Sequence, residues 1–443
     1  MKLPRPLPLA FALATLFGGS AQAQNLVQMY EAARGYDAGY QSAKAQYEAS
    51  IAKADQATAA ILPTVNAAAG YSQTQFNNKT GNNIVIDTSF ATENASISAS
   101  QPLYRPANLA TYEQGRKQVD IAKAQLDAVE QDLIVRVSTA YFDVLSAQDN
   151  LFLIREQKKA VAEQFESAKR NFEVGTATIT DSREAESRYD LILAAEIGAE
   201  NDLRVKRLAL EVVVGKPAAE PKPLARPVVL PAIPLTDDAY WVSQAEVSNP
   251  TLRQARLGVD VAKLETAKAY AGNKPTLDLT ASYGNTRYPG GNSTSGFYTR
   301  TTSGTVGLAL NVPIFAGFSV ENQIKQTLAL EDKAKADLDG VQRNVVQGTR
   351  AIFFNVKSGL GQVKALETAE ISTKSALDAN ILGYQVGVRI NLDVLNSQSQ
   401  LYVARRDLDL QRYNVLTNSL KLRQAAGVLK PEDLEQINAL LVK

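Results

Sequence analysis

The chain repeats its own pattern at a spacing of 212 residues. The matching pairs are Pro63 and Pro275, Tyr71 and Tyr283, Phe142 and Phe354, Gly175 and Gly387, Asp181 and Asp393, and Gly215 and Gly427. Each copy runs through a helical pattern, two segments of alternating polarity, a very long helix, a glycine turn and another helix. Solenoid repeats are only about 20–50 residues long. We therefore predict one protomer built from two structural repeats, about 24–215 and 236–427, joined by a proline-rich linker, 216–235, and followed by a tail, 428–443.

Two residue types are absent: the chain has no histidine and no cysteine. It therefore has no Ser-His-Asp triad, no cysteine nucleophile and no disulfide. Its 47 basic and 46 acidic residues give a net charge of +1, without the clustered basic face that nucleic-acid binding requires. No glycine-rich phosphate loop is present either. We expect no enzyme, no cofactor, no metal and no nucleic-acid partner.

The first 23 residues have the pattern of a secretory signal peptide. Lys2 and Arg5 form a basic region, residues 7–17 are mostly apolar, and Ala21-Gln22-Ala23 supplies a small-x-small cleavage site. No cysteine follows the apolar run, so we expect no lipid attachment. No later run of about eighteen apolar residues predicts a transmembrane helix. The sequence thus predicts an exported protein whose mature chain spans 24–443.

Most of the mature sequence has the period of long helices. Between residues 109 and 172 the apolar and small positions recur with a mean step of about 3.5 residues, the heptad value of left-handed coiled coils. We predict long helices over about 104–172, 181–214, 316–385 and 391–426. At about 1.5 Å per residue the first is roughly 100 Å long, which requires a bundle or a tube.

Four shorter segments alternate with a period of two, which is typical of strands. In the second copy, Leu277, Leu279 and Ala281 alternate with small or polar residues. We predict strands over about 62–76, 89–101, 275–287 and 302–313, and polar loops over 77–88 and 287–302. Such segments occur in outer-membrane β-barrels, and the alternation alone fits a soluble, half-buried hairpin equally well.

The number of strands separates these two alternatives. A membrane barrel needs a closed sheet of roughly eight or more strands, because open edges are not tolerated in lipid. Four strands in one chain therefore predict an oligomer, with eight strands in a dimer or twelve in a trimer. Pro102 and Pro313 end the two hairpins, where proline suits a change from strand to helix.

The order of the elements, together with four short motifs, resembles the TolC family of outer-membrane efflux and type I secretion channels. The motifs are 274–282, 312–317, 170–175 followed by Thr180-Asp181, and 383–389 followed by Asp393-Val394-Leu395. The resemblance covers the mature chain and implies a mainly α fold with a small β part. It implies a homotrimer with one 12-stranded outer-membrane β-barrel, four strands from each protomer, continuous with a long periplasmic α-helical coiled-coil barrel. The linker and the tail then lie in an equatorial region.

Gly175 and Gly387 lie at the turns between each long helix and the next helix. Glycine there adopts the left-handed conformation that ends a helix and lets the chain reverse. The residues alone also fit a plain solvated turn, in which Arg389 forms a local i,i+4 pair with Asp393.

The family resemblance gives these turns a role as a periplasmic gate, closed by contacts between inner and outer coiled coils. The implied positions are Thr180 and Asp181 on one side, Tyr384 and Arg389 on the other, and Asp393 and Asn396 on the pore. Asp393 then forms an acidic ring. The related channel carries a second acidic ring where this chain has Asn396, so strong block by cations or divalent metals is not implied here.

The resemblance also implies the function and the partners. The protein is expected to be the exit duct of a tripartite efflux pump or a type I secretion system in the outer membrane of a Gram-negative bacterium, surrounded by outer-membrane lipid. Energy comes from an inner-membrane ABC, RND or MFS transporter, reached through a periplasmic adaptor at the hairpin tips. Two alternatives are a coiled-coil trimeric surface or structural protein and a periplasmic adaptor. The first predicts strands clustered at the C-terminus, and the second predicts a single helical hairpin.

Overall fold

The computed structural model describes residues 24–81, 84–217, 219–228, 230 and 237–442, so the signal peptide predicted over 1–23 lies outside it. Within these residues the elements, in chain order, are α1 (Leu26–Tyr36), α2 (Ala38–Thr58), β1 (Thr64–Thr80), β2 (Ile84–Tyr104), α3 (Pro106–Glu173), α4 (Ile179–Val214), α5 (Asp238–Ser248), α6 (Pro250–Ala271), β3 (Thr276–Tyr288), β4 (Thr299–Asn311), α7 (Ser319–Gln385), α8 (Asn391–Ala425) and α9 (Asp433–Asn438). No helix in this part of the chain is long and apolar enough to cross a membrane.

Two very long helices run through the protomer. Helix α3 has 68 residues and α7 has 67, so each is about 100 Å long. Pro106 occupies the first turn of α3, where its missing N–H costs no hydrogen bond and its fixed φ suits a helix. Helix α7 begins after Gly317 and Phe318, which both have positive φ. Both helices begin two or three residues later than the pattern predicts, because the strand-to-helix turns take up the first predicted positions.

The four strands form one antiparallel sheet in the order β1-β2-β3-β4. The first hairpin pairs without a break from Thr64↔Ser100 to Thr80↔Ile84. Residues 77–88, predicted as a polar loop, therefore lie mostly in strands. A hairpin ladder is held by backbone hydrogen bonds, and these form regardless of the polarity of the side chains. The second hairpin matches its predicted bounds more closely, with pairing from Thr276↔Asn311 to Tyr288↔Thr299.

The six longest helices form a layer that has the same two edges at two levels, next to the sheet and farther from it. Next to the sheet, α2 packs on α3, α3 on α6 and α6 on α7. Farther from the sheet, α4 packs on α3, α3 on α8 and α8 on α7. Helix α7 is therefore one edge of the layer at both levels, and α2 followed by α4 is the opposite edge.

The largest apolar core of the described residues lies at mid-height, where α1, α3, α4, α8 and α9 meet. Tyr141, Phe142 and Leu416 are almost completely buried there. The Tyr141 hydroxyl donates a hydrogen bond to the carbonyl of Lys222 in the linker at 2.8 Å. The linker and the tail are further joined by a bridge between Leu224 and Leu441. These contacts tie both irregular segments to the middle of the long helices.

Asp37, between α1 and α2, binds an arginine of α3. Its Oδ1 atom caps α2 by accepting a hydrogen bond from the Tyr40 N–H at 2.8 Å. The Arg136 guanidinium donates to Oδ2 at 2.8 Å and to Oδ1 at 3.1 Å. These hydrogen bonds from Arg136 hold the pKa of the Asp37 carboxyl below its usual range.

We expect Asp37→Asn to lower the free energy of unfolding by about 1.5–3 kcal/mol near neutral pH, because a hydrogen-bonded charge pair is lost. The depressed pKa sets the sign of the pH dependence. The carboxylate stabilises the fold above the unfolded-state pKa of about 3.9, and this contribution disappears as the pH falls through the folded-state value. Unfolding midpoints of the two proteins should therefore converge in acid. Exposed Asp55→Asn is the control; a difference for Asp37→Asn that persists in acid contradicts the expectation.

Candidate functional site

The far ends of the two long hairpins are turns with the same backbone structure. In the first, the N–H groups of Thr176 and Ala177 both bond to the carbonyl of Asn171. In the second, those of Val388 and Arg389 both bond to the carbonyl of Gly383. Gly175 and Gly387 have φ of 79° and 80°, a left-handed conformation that glycine adopts without strain. The two copies therefore reverse direction in the same way.

The first turn continues into a capping box at the start of α4. The Thr178 N–H and hydroxyl donate to the Asp181 carboxylate at 3.0 and 2.8 Å. The Asp181 N–H donates back to the Thr178 hydroxyl at 3.2 Å. This reciprocal arrangement satisfies helix N–H groups that have no partner within the helix. Thr180 is exposed beside it. The Asp181 carboxylate thus has a local structural role within its own hairpin.

The second turn lacks such a cap. Ile390 occupies the N-cap position of α8 and makes no side-chain hydrogen bond. Arg389 instead faces Asp393, with 3.6 Å between Nη1 and Oδ2, and its side chain is 58% exposed. A Cβ at Gly383 would lie only 2.7 Å from the Arg389 Cγ, so the missing side chain lets the arginine stem lie against the last turn of α7. This local pair of Arg389 with Asp393 is the contact that the interpretation as a plain solvated turn predicts.

One protomer does not join the two sides of the predicted gate. Tyr384 is half-buried, and no hydrogen bond of its hydroxyl group is found among the described residues. Within the same residues, neither Asp181 nor Thr180 bonds to Tyr384 or Arg389. The contacts of Asp181 with Tyr384 and Arg389 therefore stay predictions for the assembled protein.

Other side chains do connect the two hairpins near their tips. The fully buried Asn391 accepts a hydrogen bond from Gln164 of α3 and donates one to the carbonyl of Asp181 at 3.4 Å. The Arg188 Nη2 of α4 donates to the Asn396 Oδ1 of α8 at 2.8 Å. Sequence reasoning missed Gln164, Asn391 and Arg188. In the sequence they appear only as polar residues on helices, at positions where the apolar period predicts exposure to solvent.

At the opposite end of the protomer, the sheet has one apolar face and one polar face. The cross-strand register places the apolar residues in shared rows, such as Val65–Ala99–Ala281–Val306. The apolar residues on this face are Val65, Ala67, Ala69, Tyr71, Ala95, Ile97, Ala99, Leu277, Leu279, Ala281, Tyr283, Val306, Leu308 and Leu310, and the row of Tyr71 is otherwise charged. Most of its large side chains are exposed in the protomer, and Val306 is 76% exposed. An exposed apolar surface of this extent requires lipid or another protein.

The opposite face of the sheet carries serine, threonine, asparagine and glycine in equivalent rows, such as Asn66–Ser98–Ser282–Thr305. Where the sheet meets the helices, Arg105 forms a two-pronged bond with the buried Asp278, at 2.7 and 2.5 Å. This pair joins the start of α3 to β3, and therefore fixes the first copy to the second at the junction. Strands β1 and β4 each pair on one side only within the described chain.

A lipid-compatible sheet, continuous with helices about 100 Å long, defines an outer-membrane channel that extends into the periplasm. The family model "Outer membrane efflux protein" matches residues 29–216 and 241–428, two segments whose starts are 212 residues apart. The chain belongs to this family, the TolC family. The resemblance inferred from the motifs, the fold class and the two-copy repeat are thereby confirmed.

Individual relatives agree with this assignment. The chain is 33% identical to the outer membrane protein TolC of Vibrio cholerae over 99% of this chain and 98% of the relative. It is 31% identical to the alkaline protease secretion protein AprF of Pseudomonas aeruginosa over 97% and 90%. The solved structure of the Campylobacter jejuni CmeC outer membrane channel has the same fold, with a TM-score of 0.80 at 14% identity, covering 100% of this chain and 98% of that one.

The protein is an outer-membrane exit channel for efflux or type I secretion, and a transport protein without enzymatic activity. Channels of this family form trimers that work with efflux-pump partners. The alternatives of a surface fibre and of a periplasmic adaptor are excluded. The strands lie in two internal pairs, and each copy carries its own helical hairpin.

Proposed function

We propose that three copies of this chain close one 12-stranded barrel, with β4 of each protomer pairing with β1 of the next. The observation that carries the proposal is the pair of free edges on a four-stranded sheet with an exposed apolar face. Unpaired backbone groups cannot remain in lipid, so the edges must meet. Three sheets give twelve strands, whereas one sheet cannot enclose a lumen.

The edges of the helical layer support the same closure. Helix α7 on one edge and α4 on the other keep exposed apolar side chains along their length, and α2 has Ile51 exposed. On α4 and α7 these are Ile179, Leu191, Leu193, Ile197, Val205, Leu208, Val212, Leu328, Leu330, Phe354, Ile371, Ile381 and Leu382. In the proposed trimer, α7 packs against α2 and α4 of its neighbour, and the helices close into a periplasmic tube below the barrel.

The mass of the detergent-extracted protein tests this proposal. We expect a stable trimer, because a four-stranded sheet has no closed form by itself. Native mass spectrometry or light scattering corrected for detergent will measure the number of chains. A folded monomer that remains inserted in lipid bilayers would overturn the proposed barrel.

We further propose that the hairpin tips form the gate at the periplasmic end. In the closed trimer, Asp181 and Thr180 contact Tyr384 and Arg389 between the coiled coils. The exposure of Arg389 and the half-buried, unbonded Tyr384 hydroxyl in the protomer support this assignment. Asp393 then lines the constriction as a ring of three carboxylates.

The Asp393 ring predicts cation selectivity. Three carboxylates around a narrow pore attract cations and repel anions. We expect a moderate preference for K⁺ over Cl⁻, and Asp393→Ala should reduce it. Reversal potentials across bilayers in asymmetric KCl measure the effect, with Asp378→Ala on α7 as a control at an exposed acidic residue farther from the turn. An anion-selective wild type, or no change in Asp393→Ala, would remove Asp393 from the pore.

The tips are also the proposed docking point for a periplasmic adaptor, which connects the channel to an inner-membrane ABC, RND or MFS transporter. One relative, 31% identical over 97% of this chain, is named as an alkaline protease secretion protein. This name favours a role in type I secretion. Site-specific photocrosslinking from the exposed Val174 and Val388 tests the contact. We expect crosslinks from both tips to one adaptor and none from exposed Tyr36. Equal crosslinking from all three positions would argue against docking at the tips.

A further inference from the structure

Arg188 lies on α4 with its guanidinium beside the proposed constriction. Its Nη2 donates to the Asn396 Oδ1 at 2.8 Å, across the interface between α4 and α8. Asn396 is three residues after Asp393 on α8, so the two side chains lie on the same helix face, with Cβ atoms about 5–6 Å apart. The Arg188 charge therefore lies within about one Debye length, roughly 8–10 Å, of the Asp393 carboxylate.

The Arg188 charge is not neutralised by its surroundings. No carboxylate lies within ion-pair distance of it among the residues that the structure describes. Nearby cations differ: Arg183 on the same helix binds Glu186 at 2.7 Å, and Arg155 binds Glu196 at 3.1 Å. A neutral amide oxygen accepts the Arg188 hydrogen bond, so the full positive charge remains available to ions in the pore.

We propose that Arg188 is a selectivity-determining residue, which places three positive charges beside the Asp393 ring and weakens its preference for cations. The proposal rests on the gate described above and adds a residue of α4 to it. Asn396 then has two effects. It leaves this level of the pore without a second ring of carboxylates, and it holds the Arg188 guanidinium there. Because Arg389 already faces Asp393 at 3.6 Å, Arg188 is the second cation near this carboxylate, and it weakens the negative potential of the ring further.

Reversal potentials of Arg188→Gln and Arg188→Lys test the charge. We expect Arg188→Gln to raise the K⁺/Cl⁻ permeability ratio about twofold, the factor that a unit charge roughly 9 Å away contributes in water. Arg188→Lys keeps the charge and should behave like the wild type. Arg183→Gln, on the same helix, is the control and should change nothing. If Arg188→Lys shifts the ratio as much as Arg188→Gln does, the residue acts only as a link between helices and the proposal is wrong.

Block by La³⁺ provides a second, independent measurement. In Asn396→Asp, the new carboxylate pairs with Arg188, so block should strengthen only slightly. In Asn396→Asp with Arg188→Gln, the carboxylates are free, and block should strengthen by more than the product of the two single effects. Independent single effects would overturn the proposal. Asp393→Ala distinguishes failure of the gate from failure of this proposal. If Asp393→Ala changes neither selectivity nor block, the proposed gate is wrong. If Asp393→Ala has an effect and Arg188→Gln has none, only the role of Arg188 is wrong.

Discussion

Changing Tyr384 to Phe together with Arg389 to Ser should raise the single-channel conductance severalfold. Each change removes a polar contact of the proposed closed mouth, worth about 0.5–1.5 kcal/mol. Threefold symmetry repeats every loss three times around one pore. The double variant should therefore open the mouth more than either single change, because contacts within one network are not independent. Conductance in planar bilayers, measured at fixed salt and voltage, gives the result directly.

Tyr240→Phe with Arg343→Ser supplies the matched control. Tyr240 lies on α5, and Arg343 pairs with Asp339 in the middle of α7, so the same chemistry is removed far from the tips. Its conductance should equal that of the wild type. If the Tyr384 and Arg389 variant inserts as a trimer and conducts like the wild type, these residues form only a solvated turn.

Arginine at position 306 should abolish the inserted trimer. Val306 lies in the middle of β4, on the apolar face and next to Ala281 across the ladder. An arginine on the lipid face near the bilayer centre costs about 2–4 kcal/mol, and closure of the barrel brings three copies into the same belt. We expect the trimer to disappear from outer-membrane fractions, while the total amount of the chain in the cell changes less.

Thr305, the residue before Val306, gives a control in which only the face of the sheet differs. Thr305 is exposed on the polar face, opposite Ser282. Thr305→Arg adds the same side chain to the proposed lumen, where water solvates it, and trimer yield should stay near that of the wild type. Equal loss in both variants would mean that the strand itself is intolerant and would contradict the assignment of faces.

Periodicity was enough to predict the long elements. The step of about 3.5 residues between 109 and 172 reflects one apolar seam, and α3 follows it over 68 residues. Alternation likewise predicts the second hairpin, since Leu277, Leu279 and Ala281 all lie on one face. The first hairpin extends into residues 77–88, where polar side chains hide the strand pattern. Consecutive polar residues, as over 77–80, carry no alternation for sequence reading to detect.

The candidate site was harder to predict than the fold. The glycines of both turns were found, because positive φ restricts the residue type and the repeat shows the position twice. Among the side-chain contacts at the tips, the local pair of Arg389 with Asp393 was predicted, but the contacts between the two hairpins were not found. The two copies share one backbone turn but differ in chemistry, with a capping box at Thr178 and an arginine pair at Asp393. Contacts such as Gln164 with Asn391 join residues 227 positions apart, and one sequence carries no record of them.

The free edges of β1 and β4 have a genetic consequence. A chain with a mutation in one edge strand still has an intact strand at the other edge. It can therefore assemble with two normal chains and prevent closure of the barrel that they form. For a ring of three copies, a cell that makes normal and damaged chains in equal amounts assembles only about one fully normal ring in eight. Lesions confined to an edge should therefore be dominant, whereas lesions that prevent folding altogether should be recessive.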